Sequence, residues 1–382
     1  MVENNRNTGK NILFGILLVG LCLPLIQQLT KFAYVRELKG DIKVTQKAQL
    51  NTKDWFSGKY QDSTSKYIND NFGFRNDFIR INNERHYLMY NEAKANGVII
   101  GKDSYLYEWG YIAAALGLDF VGDDSVKIDI DKLKYVSDTL HSLGKEIIIV
   151  FAPGKGSYFP EYIPEIWVKQ KKNKTNLEIY SSECKAQGIN YVDLNTWFVQ
   201  AKDTTQYPLF SQAGIHWSKY AEYLVMDTLI NYFERNMSVD LPDIILKSIT
   251  VDADNQFGDY DVGDGMNLYS KLPTFPMAYP DYHFDKDHRE KYDSIQSIII
   301  ADSYYWGLFL KNFSSDCFSN GEFWYYNRLI YKMGTPGASN CSDANILEKV
   351  ANNDLIVILS TDANLDDFGF GLIDELFEVY QK

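Results

Sequence analysis

A serine that directly follows a predicted strand is the first group in the sequence that could carry chemistry. The apolar residues 298–301 run straight into Asp302 and Ser303, and a helix-compatible stretch, 304–313, follows. A short apolar run of this kind is typical of a buried parallel strand, and open α/β folds bind ligands at the carboxyl edge of the sheet. The sequence therefore predicts that Ser303 is a nucleophile at that edge, although Asp302 and Ser303 also suit a helix N-cap.

A serine nucleophile needs a base, and His216 is the histidine best placed to act as one. It lies in G-I-H-W-S (214–218), in a loop just before a predicted helix. The other four histidines fall inside predicted helices among charged residues or in a very polar stretch: His86, His141, His283 and His288. An imidazole within hydrogen-bond reach removes the proton of an attacking hydroxyl. We therefore predict that Ser303 and His216 meet.

Alternating strand and helix patterns from about residue 129 predict the sheet that holds these two residues. This alternation is typical of an α/β fold in which helices flank a parallel sheet. The predicted elements are helices 130–143, 176–187, 195–202, 346–352 and 370–380, and strands 146–151, 190–194, 298–301, 322–331 and 354–359. Before them, the sequence predicts helices broken at Gly73 and a hairpin over 98–109.

Acyl transfer also needs donors for the oxyanion that develops on the carbonyl oxygen. Backbone N–H groups near Tyr304, at the predicted helix start, are one source. Gly154 and Gly156 flank Lys155 in the loop after strand 146–151, and their N–H groups are another, although a plain turn explains this loop equally well. The Walker spacing of a phosphate loop is absent.

The amino-terminal segment predicts export. Arg6 and Lys10 precede an uncharged apolar run, 12–26, whose length lies between a signal-peptide core and a full membrane span. We expect an uncleaved signal anchor over 1–30, with a cleaved signal or a buried core helix as alternatives. Either export reading puts the remainder outside the cytoplasm. We expect a helical extension over 31–96 and the main domain over 97–382, with an insertion at about 239–290.

Composition excludes some classes of partner. The 382-residue chain carries a formal net charge of −13, which argues against a nucleic-acid binder. The four cysteines lack paired metal-ligand spacing, and Cys317 and Cys341 suit either a disulfide or two thiols. Aspartates and glycines at 258–265 suggest calcium, but the EF-hand register fails. We expect a loop that borders the active site, and no metal.

Several short stretches in a fixed order resemble a known family. They are W-F-S-G-K-Y-Q (55–61), N-F-G-F-R (71–75), V-I-I-G-K-D-S-Y-L-Y (98–107), A-P-G-K (152–155) with residues 159–164, G-I-H-W-S (214–218) and A-D-S-Y (301–304). The chain resembles SGNH hydrolase-like proteins of the AlgX/AlgJ type, the alginate O-acetyltransferase family. The resemblance implies an SGNH-type sheet and an exported enzyme that acetylates a polysaccharide. It implies no cofactor, because a membrane-bound partner supplies the acetyl donor.

The resemblance also assigns roles, with one serious departure. Ser303 matches the nucleophile, His216 its base, and Asp302 the acidic residue that fixes the turn. The family commonly has Asp-x-His-Trp, whereas Gly214 stands at the aspartate position here. Without a carboxylate on its other nitrogen, the imidazole loses help with tautomer and charge. The acids that could substitute are Asp193, Asp259, Asp261 and Asp264. The alternatives are a weakened dyad, an acetylesterase, or an inactive polysaccharide-binding or assembly subunit.

Overall fold

The computed structural model describes residues 2–40, 45–170, 174–285 and 289–381. It divides into two compact units. The first comprises Met1–Asn96 with Gly263–Lys271, and the second comprises Gly97–Val262 with Leu272–Lys382. His288, one of the five histidines, lies outside the described residues.

The first unit is helical. Its helices are α1 (Val2–Thr30), α2 (Thr52–Phe56), α3 (Lys59–Asn71) and α4 (Arg75–Tyr90). The chain breaks between α3 and α4 at Gly73, where an added Cβ would lie 2.0 Å from the carbonyl oxygen of Pro24. Within α1, the segment Thr8–Thr30 is long and apolar enough to cross a membrane. It is therefore a candidate anchor or signal segment.

A seven-stranded sheet forms the centre of the second unit. The strands of the chain are β1 (Val98–Ile100), β2 (Leu106–Glu108), β3 (Glu146–Ala152), β4 (Tyr191–Asp193), β5 (Ile244–Asp252), β6 (Met277–Phe284), β7 (Gln296–Ala301), β8 (Asn320–Tyr325), β9 (Leu329–Lys332), β10 (Ser339–Asn340) and β11 (Leu355–Thr361). The sheet order is β10-β9-β8-β7-β11-β3-β4. Strands β8, β7, β11, β3 and β4 pair in parallel, whereas β9 and β10 are antiparallel.

Helices cover the sheet because its central strands are apolar on both faces. The remaining helices are α5 (Trp109–Leu116), α6 (Asp123–Ser142), α7 (Lys155–Tyr158), α8 (Glu165–Val168), α9 (Asn176–Gln187), α10 (Leu194–Ala201), α11 (Lys219–Met237), α12 (Asp261–Gly265), α13 (Tyr305–Leu310), α14 (Ile346–Ala351) and α15 (Leu372–Tyr380). Buried residues of α6, α9 and α15 pack with β3, β7 and β11 in one core. The predicted α/β fold with a parallel sheet flanked by helices is confirmed.

One local prediction was wrong. Residues 322–331 form not one strand but the hairpin β8–β9, because Tyr326 and Asn327 both adopt positive φ and reverse the chain. The insertion contains a separate antiparallel sheet, in which β5 and β6 pair. The predicted hairpin at 98–109 is present as β1 and β2.

Candidate active site

Ser303, His216 and Asp261 form a continuous hydrogen-bonded chain. Nε2 of His216 lies 2.9 Å from Oγ of Ser303, and Nδ1 of His216 lies 2.5 Å from Oδ2 of Asp261. The structure thus brings together the predicted nucleophile, the predicted base and one of the four candidate acids. A hydroxyl, an imidazole and a carboxylate in this order match the geometry of serine acyl-transfer catalysts.

The turn that presents Ser303 is held by Asp302. This carboxylate is fully buried, and its Oδ2 accepts hydrogen bonds from the backbone N–H (2.8 Å) and hydroxyl (2.8 Å) of Thr361 and from Asn364 (2.9 Å). Thr361 ends β11, the strand that pairs with β7. Asp302 therefore ties the end of one strand to the end of its neighbour and fixes where Ser303 projects.

The loop that carries His216 is held by two side chains that donate hydrogen bonds to three of its carbonyl oxygens. Lys155 Nζ donates to the carbonyl oxygens of Gln212 (2.8 Å) and Gly214 (2.6 Å). The next carbonyl, that of Ile215, accepts from the Tyr304 hydroxyl at 2.6 Å. Lys155 and Tyr304 are both buried. Tyr304, adjacent to Ser303, thus orients the loop that carries His216. The sequence had predicted a role only for the backbone N–H near Tyr304, and not for its side chain.

Asp261 reaches His216 from the segment between β5 and β6. Its Oδ1 accepts from the backbone N–H groups of Ile215 (3.0 Å) and Val262 (2.7 Å), while Oδ2 faces the imidazole. The same segment approaches Gly214 so closely that an added Cβ there would lie 2.2 Å from the carbonyl oxygen of Gly258. Gly214 therefore makes room for the segment that supplies the acid.

The site favours a protonated imidazole after proton transfer. Burial lowers the pKa of His216, but the hydrogen bond and charge of Asp261, together with the charges of Asp302 and Glu222, outweigh it and raise the pKa above its ordinary value. The side chain remains 26% exposed. The imidazole is thus a base whose charged form is stabilised where a substrate can reach it.

The other three candidate acids have different partners. Asp193 caps α10 through the backbone N–H and hydroxyl of Thr196. Asp264 forms an ion pair with Lys39 at 2.6 Å, inside the first unit. Asp259 is buried, and burial raises its pKa to about 7, although a hydrogen bond with Tyr279 opposes the rise. None of these three contacts the imidazole through a hydrogen bond that the structure describes.

Of the predicted oxyanion donors, Tyr304 has an engaged N–H group, and the two glycines follow a strand that is not adjacent to β7. The Tyr304 N–H donates to Oδ1 of Asp302 at 3.0 Å. Gly154 lies against the carboxylate of Asp362, and Gly156 lies against the backbone of Tyr111, so closely that a Cβ on either would collide. Strand β11 separates β3, which precedes these glycines, from β7, and two strand spacings are about 10 Å.

Tyr326 is a neighbour of Ser303 that the sequence reasoning missed. Burial raises its pKa to about 12, while hydrogen bonds with the side chain and backbone of Ser303 oppose the rise. Tyr326 follows β8, which pairs with β7. Its position directly after a strand that neighbours β7 could have indicated this role. That position was not recognised, because 322–331 was predicted as a single strand.

The described residues place no metal centre beside Ser303, His216 and Asp261. Across the part of the chain that the structure describes, no group of three or more His, Cys, Asp or Glu residues is arranged to hold an ion. In the Asp- and Gly-rich run, 258–265, Asp261 faces His216 instead. Cys341 is a free thiol, so no disulfide joins it to Cys317.

Comparisons with known proteins agree with this architecture. Residues 98–259 match the family model of the SGNH hydrolase-like domain of the acetyltransferase AlgX. The match spans less than half of the chain and includes His216, but it ends before Asp261 and Ser303. No curated protein matches the chain.

Two solved structures are similar at low identity. The O-acetyltransferase domain of Pseudomonas putida AlgJ is 13% identical, with 74% of this chain and 99% of that chain covered and a TM-score of 0.47. Pseudomonas aeruginosa AlgX is 10% identical, with 72% and 67% covered and a TM-score of 0.45.

The second unit contains this matched region together with a serine at the carboxyl edge of its sheet, and loops bring a histidine and an aspartate to that serine. The matched region, residues 98–259, is similar to the SGNH hydrolase-like domain of the acetyltransferase AlgX. The resemblance predicted from the short sequence stretches is therefore confirmed.

Proposed function

We propose that the chain is an O-acetyltransferase that moves acetyl groups onto hydroxyls of a polysaccharide outside the cytoplasm. The observation that carries the proposal is the hydrogen-bonded chain from Ser303 through His216 to Asp261. The acetyl group follows from the AlgX domain match, and the polysaccharide follows from the resemblance of the sequence to the alginate O-acetyltransferases.

The first half-reaction acylates the serine. Oγ of Ser303 attacks the carbonyl carbon of the donor's acetyl group while His216 Nε2 takes the hydroxyl proton. Asp261 stabilises the imidazolium through Nδ1. Tyr326, beside the serine, is the side-chain donor best placed for the oxyanion. The donor's leaving group then departs with the proton that His216 returns, and an acetyl ester remains on Ser303.

The second half-reaction releases the acetyl group to the acceptor. A sugar hydroxyl attacks the ester carbonyl, and His216 takes its proton and passes it to the departing Oγ of Ser303. Water in place of the sugar gives an esterase by the same steps. No cofactor takes part, because the donor supplies the acetyl group. We propose that α1 anchors the chain beside a membrane-bound donor protein.

The assembled triad supports an enzyme over an inactive binding or assembly subunit. Gly214 raised that alternative, because it removes the family's usual acid. Asp261 supplies a carboxylate to the same ring nitrogen, and the imidazole keeps its support.

Trapping the acyl-serine tests the proposal directly. The full chain, purified in detergent, is mixed with p-nitrophenyl acetate and a neutral oligosaccharide, and both p-nitrophenol release and acetylated product are followed. We expect an acetyl adduct on the peptide that contains Ser303. Ser303→Ala should lower turnover at least about a thousandfold, while Ser142→Ala, an exposed helix residue, should not change it.

Two results would contradict the proposal. One is turnover by Ser303→Ala at the wild-type rate, and the other is an adduct on a different residue. An adduct that only water releases would instead identify an esterase.

A further inference from the structure

A cavity close to the Ser303–His216 pair takes no part in the mechanism above. Its volume is about 280 Å³, and its walls come from α11, β6 and α13. Gly307, on one wall, lies in α13, whose first residue, Tyr305, follows Ser303 by two residues. Glu222, on another, follows His216 by six residues, and its charge contributes to the raised pKa of that imidazole. The cavity is therefore a neighbour of the reacting groups.

Two buried polar atoms of the cavity walls have no hydrogen-bond partner within the described part of the chain. Oε1 of Glu222 accepts from Lys219 at 2.6 Å, but Oε2 has no hydrogen-bond partner among the described residues. The Tyr282 hydroxyl has none there either. The Glu222 side chain is only 3% exposed. A buried polar atom without a partner destabilises the fold, so two at one cavity call for an explanation.

The remaining lining resembles a ligand site of modest size. Pro280, Leu310 and the rings of Tyr279 and Tyr282 give a mostly apolar wall. Small-molecule sites combine such walls with a few convergent polar groups. A volume of about 280 Å³ holds one six-membered ring with its substituents, so the occupant is a single sugar-sized unit.

Charged groups of both signs line the cavity. The carboxylate of Glu222 opposes an anion at the depth of the cavity. The ammonium groups of Lys219 and Lys311 oppose a cation, and Lys311 Nζ lies 5.4 Å from the centre of the Tyr282 ring. A hydroxyl both donates and accepts, so it can satisfy the Glu222 oxygen and the Tyr282 hydroxyl without adding charge.

We propose that this cavity binds a neutral pyranose residue of the acceptor, next to the residue whose hydroxyl is acetylated. The inference rests on the proposed function for the identity of the acceptor. The binding itself is independent of catalysis, because Ser303 and His216 do not line the cavity.

Binding is measured with Ser303→Ala full-length chain in detergent, by saturation-transfer NMR and titration. The probes are methyl glucoside, methyl glucuronide and methyl glucosaminide, which are neutral, anionic and cationic. We expect the neutral probe to bind tightest. Glu222→Gln should weaken it about tenfold, and Asp227→Asn, the same change at an exposed site of α11, should not.

Two further variants separate binding from folding. Tyr282→Phe removes only a hydroxyl that lacks a partner, so affinity should fall about threefold while the melting temperature stays unchanged or rises. Gly307→Ala places a Cβ 1.9 Å from Oε1 of Glu222 and should abolish binding.

Other outcomes overturn the inference. They are no binding of the neutral probe, tighter binding of either charged probe, or an affinity that Glu222→Gln and Tyr282→Phe leave unchanged. Failure of acetyl transfer in the wild-type chain would contradict the proposed function alone, because binding by the Ser303→Ala chain is scored separately.

Discussion

The serine and the aspartate of the triad reach the same imidazole from two very different regions. Ser303 stands at the end of β7, in the middle of the parallel sheet, where Asp302 anchors its turn to β11. Asp261 stands in the insertion, between two strands that do not belong to that sheet. The strand, turn and helix around Ser303 are local in sequence, whereas the position of Asp261 depends on a segment that packs against Gly214.

This difference shows how the triad tolerates the missing aspartate at position 214. The carboxylate comes from a segment that occupies the space where a side chain at 214 would lie. An aspartate at position 214 and Asp261 at its observed position therefore exclude each other sterically. We therefore expect Asp261 to be essential for catalysis. We also expect that an aspartate introduced at position 214 would lower the activity.

The largest effect should come from Asp261→Asn. An amide keeps the shape but cannot hold the correct imidazole tautomer or stabilise the imidazolium, so kcat should fall about ten-thousandfold. The measurement is p-nitrophenyl acetate turnover together with transfer to an oligosaccharide. Asp264→Asn, three residues along and paired at the surface with Lys39, should cost little. Equal activity of the two variants would refute a role for Asp261.

Gly214→Asp should also inactivate the chain, at least about a hundredfold. Its Cβ would meet the Gly258 carbonyl at 2.2 Å and displace the segment that carries Asp261. A displacement of about 1 Å is enough for such a loss. Gly265→Asp, where an added Cβ meets open space, is the matched control. If Gly214→Asp raised activity, the two acids would not compete for space.

A smaller loss, about tenfold in kcat, is expected for Lys155→Met, because the loop of His216 loses two hydrogen bonds from one buried ammonium. Lys145→Met is the matched control, since Lys145 also donates to two carbonyls, those of Ala351 and Asn353. Both variants should lose stability, and only the first should lose activity.

Stability against pH gives Lys155 a second signature. Burial lowers its pKa to about 7, below the unfolded value of about 10.4. The unfolded chain therefore binds more protons between these values, and the free energy of unfolding should rise with pH from 7 to 10. Denaturant titrations should show that Lys155→Met flattens this rise. An unchanged slope would contradict the assignment.

The smallest effect is a shift in the pH dependence of activity. The base must be neutral, so the raised pKa of His216 places the acid limb of kcat/KM above the ordinary value of about 6.5. Asp261→Asn removes the main raising influence and leaves burial, which lowers the pKa. The midpoint of its residual activity should therefore move to lower pH, and a midpoint that moved upward would contradict this account.

The strand-end nucleophile could be predicted because its signals are local. An apolar run followed by Asp302 and Ser303 indicates strand, turn and helix within a few residues, and His216 was selected by its loop position. The sequence could not choose Asp261 from the four candidate acids, because a contact between residues 45 positions apart leaves no local pattern. Tyr326 was missed because the chain reverses at Tyr326 and Asn327, which adopt positive φ although neither is a glycine. Without a glycine, the sequence did not indicate a turn there.

The side-chain hydrogen bonds that position the His216 loop could not be predicted from the sequence either. A lysine in a glycine-rich turn suggests solvent or an anion, yet Lys155 is buried and donates to two carbonyls. The insertion hairpin was not predicted, and Pro280 in β6 is a residue that weakens a strand prediction because it is confined to edge strands.

The glycine before the histidine has a practical consequence for genome mining. A filter that demands Asp-x-His-Trp would discard this chain, although Asp261 supplies a carboxylate to the same imidazole. Pairing a small residue two places before the histidine with an aspartate about 45 places after it gives a search pattern that retains such proteins.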